Sequence, residues 1–320
     1  MGFGWNAEAM AGKALDYFVL DVFTGRRLEG NALAVVLHDG SLSDAIMQAI
    51  ARETNLSETT FVERRSEGIE VREGVRVRIF TAEEELPFAG HPTLGTASLM
   101  RAIAPECVRD GCVTLALNVG PVPVRFEESQ NVWPAGGEMT QRDPEFGEEL
   151  DAAQVAALIG LEHEDLNLDH PVQIVSTGTA FAIVALRSTE ALKRLRVRQD
   201  EASAYLRARG ARWFYVLGPE GDQKTAGASS GIGGSLLWRA RMQFNGGEDP
   251  ATGSAAGCAI SYLVRYGLVA PDAVLHLRQG VEMKRPSDLY LRAGLEDGKV
   301  VRVRVGGSTI LVAKGQLFLP

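Results

Sequence analysis

Two helical segments of this 320-residue chain have almost no polar face, and they restrict its architecture more than any other feature. One runs on from Gly90-His91-Pro92-Thr93-Leu94-Gly95-Thr96-Ala97 and carries Leu94, Ala97, Leu99, Met100 and Ile103. The other follows Gly246-Gly247-Glu248-Asp249-Pro250-Ala251-Thr252-Gly253-Ser254 and carries Ala256, Cys258, Ile260, Leu263 and Val264. A helix that is apolar nearly all round has to be enclosed, and the material available to enclose it here is sheet. The expected fold is α+β: two curved, barrel-like sheets, each wrapped around one central helix.

The openings of the two helices are also alike. Laying Gly90–Ala97 over Glu248–Ala255 aligns an ionisable residue, Pro, two intervening residues, Gly, a hydroxyl and Ala. Such a repeat predicts two halves of similar architecture, each with a titratable side chain, His91 or Asp249, before a helix. If the halves face each other, these two groups meet. Asp249 and Pro250 read as the N-cap and first residue of the second helix, and the glycines let a ligand approach free backbone donors, which makes a small anion site. Plain capping accounts for Asp249 before Pro250 and His91 before Pro92 as well.

Along the chain, Leu15–Thr24 and Ala32–Leu37 read as a hairpin, and Leu42–Arg52 as a helix capped by Ser41 or Ser43. Thr59–Val62 is the next strand, with Glu58 at its entrance, and Val75–Ile79 alternates at period two. The polar, Pro- and Gly-bearing stretch Glu127–Pro144 is the best linker candidate between halves at 14–128 and 129–308. In the second half, charged helices fall between Thr189 and Arg209, strands at Trp213–Leu217 and Leu237–Phe244, and two separate strands at Val300–Val305 and Thr309–Val312. Gly227–Gly233 imitates the phosphate turn of short-chain dehydrogenases, but polar sequence precedes it and a strand follows, so a dinucleotide site is not expected.

A formal charge of −8, with no basic run longer than two, argues against nucleic acid and anionic membrane as partners. Three cysteines, Cys107, Cys112 and Cys258, form no C-x-x-C pair, which points to the cytoplasm and to neither a metal nor a disulfide framework. No secretory signal and no apolar run of about 18 residues is expected to take the chain out of it.

Asn55-Leu56-Ser57-Glu58-Thr59-Thr60-Phe61, Phe80-Thr81 with Glu85-Leu86-Pro87-Phe88-Ala89-Gly90-His91-Pro92, and Gly247–Ala255 resemble the PhzF-like phenazine-biosynthesis isomerase family. So do Asp21-Val22-Phe23 with Gly30-Asn31, Arg285-Pro286-Ser287 and Val305-Gly306-Gly307, and the resemblance runs from about Leu15 to the C-terminus. It implies the diaminopimelate epimerase-like fold, with a site between two pseudo-symmetric halves, a final strand (about 309–320) returning to the first, and a homodimer.

The resemblance also implies catalytic roles for Glu58 as proton carrier and for His91 and Asp249, with Gly90, Gly253 and Ser254 binding the substrate. A partly desolvated carboxylate takes a proton from an activated carbon and returns it elsewhere on the same face. The expected activity is a cofactor-independent proton and double-bond shift in a small unsaturated or cyclic carboxylic acid. The related two-cysteine epimerisation is disfavoured, because Ala89 and Ala251 stand at the corresponding turns. A one-base epimerase and a non-catalytic binding protein are the alternatives.

Overall fold

The computed structural model describes residues 13–127, 129, 131–221, 236–244 and 247–319. Residues 1–12, Gly246 and the Gly227–Gly233 turn lie outside the described residues. Among the described residues, seventeen strands form one continuous mixed sheet that coils around two helices. The architecture is α+β and epimerase-like, as the enclosed-helix pattern requires. No described helix is long and apolar enough to cross a membrane.

The first central helix spans Gly90–Ile103 and is buried from Gly90 to Met100. The second spans Gly253–Arg265 and is buried at Gly253 and from Ala255 to Val264. Leu94, Leu99, Ile260 and Leu263 keep no exposed surface and belong to one contiguous apolar core that runs through both halves. Each such side chain contributes roughly 1.5–3 kcal/mol by leaving water. A second core gathers around residues 150–216.

Strand Ala14–Val22 pairs antiparallel with Asn31–His38, with Val22 opposite Asn31. Glu58–Glu63 then runs parallel to Asn31–His38, Leu33 opposite Glu58. Asn31 and Glu58 therefore emerge at the same end of adjacent strands. The helix between them, Asp44–Thr54, is capped by Ser43, whose hydroxyl accepts from the Ile46 amide.

Three sequence expectations are corrected. The offset that aligned the two helix openings sets Gly95 against Gly253, yet Gly95 lies more than a turn inside its helix. The glycines that touch are Gly90 and Gly253: a Cβ on Gly90 would sit 2.9 Å from Gly253 Cα. Asp249 and Pro250 precede the second helix, which starts at Gly253 with Thr252 at the N-cap. The cause is a short hairpin, Gln243–Phe244 with Gly247–Glu248, which holds the chain extended, and the Asp249 amide donates to Met242 O.

The stretch taken as a linker contains strand Ala135–Thr140, which pairs with residues 304–309. Those partners belong to the third correction, because the two C-terminal strands are one 20-residue strand, Lys299–Phe318. Gly306 and Gly307 do not break it. They let neighbours approach, since a Cβ on Gly306 would meet Gly137 O at 2.9 Å and one on Gly307 would meet Phe23 Cδ1 at 2.5 Å. The long strand pairs with Ser287–Glu296, then with Ala135–Thr140 and Ala14–Val22, and it touches both central helices.

Candidate active site

The mouths of the two central helices abut through Gly90 and Gly253. Neither helix has a side chain bonded to its first-turn amides: Ala89 has no group to offer, and Thr252 makes no cap bond. Two sets of unsatisfied N–H groups, with the positive ends of two helix dipoles, thus open at one place.

Around this junction the structure gathers Glu58, His91 and Asp249. Glu58 is the first residue of its strand, and its side chain is 17 % exposed. Its Oε2 nevertheless lies out of solvent, 3.4 Å from His91 Nε2, and neither atom has a hydrogen-bond partner. Buried polar atoms are almost always paired, so two facing orphans mark a place prepared for a third group. His91 is the second residue of the first central helix, and burial pushes its imidazole down to about 3. It is neutral at any physiological pH.

Asn31 joins the two titratable groups that the repeat singled out. Its Nδ2 donates to Asp249 Oδ1 at 2.8 Å and to Ala251 O at 2.9 Å, and faces His91 Nδ1 at 3.3 Å. The Asp249 carboxylate and the Ala251 carbonyl fix the amide orientation and take its two protons, and the amide nitrogen cannot accept one from His91. His91 Nδ1 is therefore the bare nitrogen, and the ring proton sits on Nε2, towards Glu58.

The turn leading into Asn31 is held from the second half. Arg285 donates to Gly30 O at 2.8 Å, to Glu29 O at 2.8 Å and to Asp21 Oδ1 at 2.6 Å. Gly30 has φ +70°, and a Cβ there would strike Val22 O and Thr24. These bonds account for the grouping of Asp21, Gly30-Asn31 and Arg285 among the recognisable segments.

Asp249 is further bound by Thr252, whose Oγ1 donates to Oδ2 at 2.6 Å. Burial raises the Asp249 carboxyl to about 6, while the Thr252 and Asn31 donors oppose the rise. Glu58 is pushed up to about 8, first by burial and then by the Asp249 charge, with Arg212 opposing. Two carboxyls in adjacent surroundings thus titrate on either side of neutrality, the pattern of a site that handles protons.

Gly90 and Gly253 form the junction itself, and Ser254, partly exposed, is the second residue of its helix. Cys258 lies inside that helix, fully buried, and burial raises its thiol to about 11. Sequence reasoning did not single out Asn31, Thr252, Gln279 or Tyr215 for the site. Gln279 Nε2 donates to Asp249 O at 2.8 Å and to Thr252 Oγ1 at 2.9 Å, and Tyr215 donates to Gln279 Oε1 at 2.7 Å. Among the described residues, no group of three His, Cys, Asp or Glu side chains is set to hold a metal ion.

Comparison with known proteins shows the family of the chain. A sequence profile of the phenazine biosynthesis-like protein family, PhzC-PhzF, matches residues 20–315. The trans-2,3-dihydro-3-hydroxyanthranilate isomerase of Pseudomonas aeruginosa is 33% identical over 306 residues, 95% of this chain and 99% of its own. An uncharacterized isomerase of Mesorhizobium japonicum is 33% identical over 308 residues, with the same coverage. A solved structure of a predicted epimerase from Pseudomonas aeruginosa superimposes with a TM-score of 0.77 at 36% identity, covering 96% of this chain and 100% of that one. A match of this length to profile and relatives alike makes the chain a member of the phenazine biosynthesis-like, or PhzC-PhzF, family and an isomerase by class.

Proposed function

We propose that the protein is a cofactor-independent isomerase that moves a proton and a double bond within a small unsaturated or cyclic carboxylic acid, with Glu58 as the proton carrier. The observation that carries this reading is the facing pair of buried, unpartnered atoms, Glu58 Oε2 and His91 Nε2, beside an acid from the other helix mouth. In the reaction, the Glu58 carboxylate takes a proton from a carbon made acidic by a neighbouring π-system. The electron pair of the broken C–H bond moves into that system, and Glu58 returns the proton at its far end, on the same face. Nothing is consumed, and the carboxylate is regenerated.

A titration midpoint near 8 suits both halves of such a transfer, because general acid–base catalysis works best when the carrier titrates near working pH. The substrate carboxylate would lie at the helix mouths, on the backbone amides around Gly90 and Gly253 and the Ser254 hydroxyl. His91, as a neutral Nε2–H donor, would hold a heteroatom of the substrate without adding charge. In this reading the enzyme acts in the cytoplasm as a homodimer, on an acid of the type named for the Pseudomonas aeruginosa relative. The predicted epimerase at 36% identity favours one second reading, one-base epimerisation, which would use the same Glu58 and differ in product.

The test is incubation with trans-2,3-dihydro-3-hydroxyanthranilate and a panel of unsaturated cyclic acids in D₂O, followed by NMR. Isomerisation shifts the double bond, with deuterium at the newly protonated carbon to the extent that the Glu58 proton exchanges with solvent, whereas epimerisation inverts the carbon that was deprotonated. Glu58→Gln is expected to lower turnover by about 10²–10⁴-fold, the usual cost of losing a general base. Activity of that variant within tenfold of wild type would remove Glu58 from the mechanism, and neither product nor deuterium uptake with any acid would favour a binding protein.

A further inference from the structure

Thr252 occupies the N-cap of the second central helix, where a threonine hydroxyl ordinarily accepts from a first-turn amide. It makes no such bond, and its hydroxyl turns the other way. Each neighbour has one possible role. Gln279 Oε1 accepts from Tyr215 OH at 2.7 Å and from the Thr252 amide at 3.2 Å, so the other end of that side chain is the amide nitrogen. That nitrogen donates to Thr252 Oγ1 and to Asp249 O. While Thr252 Oγ1 accepts from Gln279, its own hydroxyl proton is donated to Asp249 Oδ2, 2.6 Å away. Gln279 and Tyr215 have no exposed surface and Thr252 only 7 %, so water does not offer these groups an alternative.

The chain of donors Tyr215, Gln279, Thr252 ends on one carboxylate oxygen, while Asn31 donates to the other. Both oxygens of Asp249 thus face donors, the Asn31 amide nitrogen on one side and the Thr252 hydroxyl on the other, which favours the charged form of the acid. A local rule of helix capping is given up at the place where the two helix mouths meet, as happens where function outweighs local stability.

We propose that Thr252 is a positioning residue: with its hydroxyl oriented by Gln279 and Tyr215, it favours the charged form of Asp249 and so keeps negative charge beside Glu58. The charge makes the Glu58 proton harder to lose than burial alone would, which fits a carrier that must give its proton back. The other ionisable groups around Asp249 are Glu248 next to it, His91 across Asn31, and Tyr215, with Arg212 reaching Glu58 from the second half. Glu58 and Asp249 are the pair that burial brings towards neutrality.

The effect on rate rests on Glu58 being the proton carrier; the effect on titration does not, which keeps the two ideas separable. Carboxyl-carbon NMR of the ligand-free protein follows Glu58 and Asp249 from pH 4 to 10, with Glu58→Gln and Asp249→Asn as assignments. In Thr252→Val, equal in shape but without the donor, the Asp249 midpoint is expected to rise and the Glu58 midpoint to fall, each by about one unit. Thr252→Ser restores both. If a substrate is turned over, the pH limb of kcat/KM moves with Glu58 in the Val variant and not in the Ser variant. Unchanged midpoints in Thr252→Val, or equal shifts in Thr252→Ser, overturn the proposal; should the Val variant not fold, Thr252→Ala is read by the same criteria.

Discussion

Stability against pH provides a test of the site that needs no substrate. The Glu58 carboxyl titrates near 4.5 in an unstructured chain and near 8 in the folded protein. Between these values the folded state holds a proton that the unfolded state has released, so stability falls as pH rises through the window. Full linkage for one such group removes about 4 kcal/mol between pH 5 and pH 9, most of it before pH 8. Glu58→Gln keeps shape and polarity but has no proton to lose, so it escapes this penalty. Urea unfolding of both proteins at each unit of pH, at low ionic strength, is expected to show a difference that grows in favour of the variant as pH rises. Asp249, also raised by burial, weakens both proteins alike in the same direction and largely cancels. A difference that stays constant with pH, within the roughly 0.5 kcal/mol of a neutral surface substitution, would refute the idea that Glu58 is buried as an acid.

Further outcomes follow from the same geometry. For any substrate turned over, kcat/KM should rise with pH as free Glu58 loses its proton and level off above about 8; a profile flat from pH 6 to 9 would deny Glu58 the role of base. Gly90→Ala would put a methyl group 2.9 Å from Gly253 Cα and 3.0 Å from the Ser254 nitrogen, both backbone atoms, and is expected to cost about 1–3 kcal/mol and most of the activity. Thermal melts and initial rates decide it, and wild-type values for both would show that the helix mouths have slack. Gly307→Ala, crowding Phe23 at 2.5 Å, should destabilise the fold without moving the pH profile.

What sequence reading reached, and what it missed, divides by range. The enclosed helices were legible because a helix without a polar face has few places to go, and the Asp44–Thr54 helix because Ser43 and periodicity agree. The start of the second helix was misread because capping signals are local and the hairpin holding Asp249 extended depends on Met242, seven residues upstream. Asn31, Gln279 and Tyr215 went unnoticed as site residues for a related reason: Asn31 lies 218 positions from Asp249, and Tyr215 lies 64 from Gln279. A lone amide or phenol looks like any other until the fold chooses its partner. The signal at hand for Thr252 was a hydroxyl directly before a helix-opening glycine, which reads first as an ordinary cap.

The 20-residue strand Lys299–Phe318 also bears on how the molecule is made. Ala14 pairs with Phe318 and Val22 with Thr309, so the first sheet cannot close until nearly 300 further residues have been synthesised. A nascent chain halted at residue 128 would carry every residue proposed for the site from the first half, yet leave the inner edge of Ala14–Val22 unpaired and open to aggregation. Pairing between such distant stretches implies slow, late folding. Assembly of the two helix mouths would then be among the last events in the life of a newly made molecule, complete only once strands Ala14–Val22 and Lys299–Phe318 had found each other.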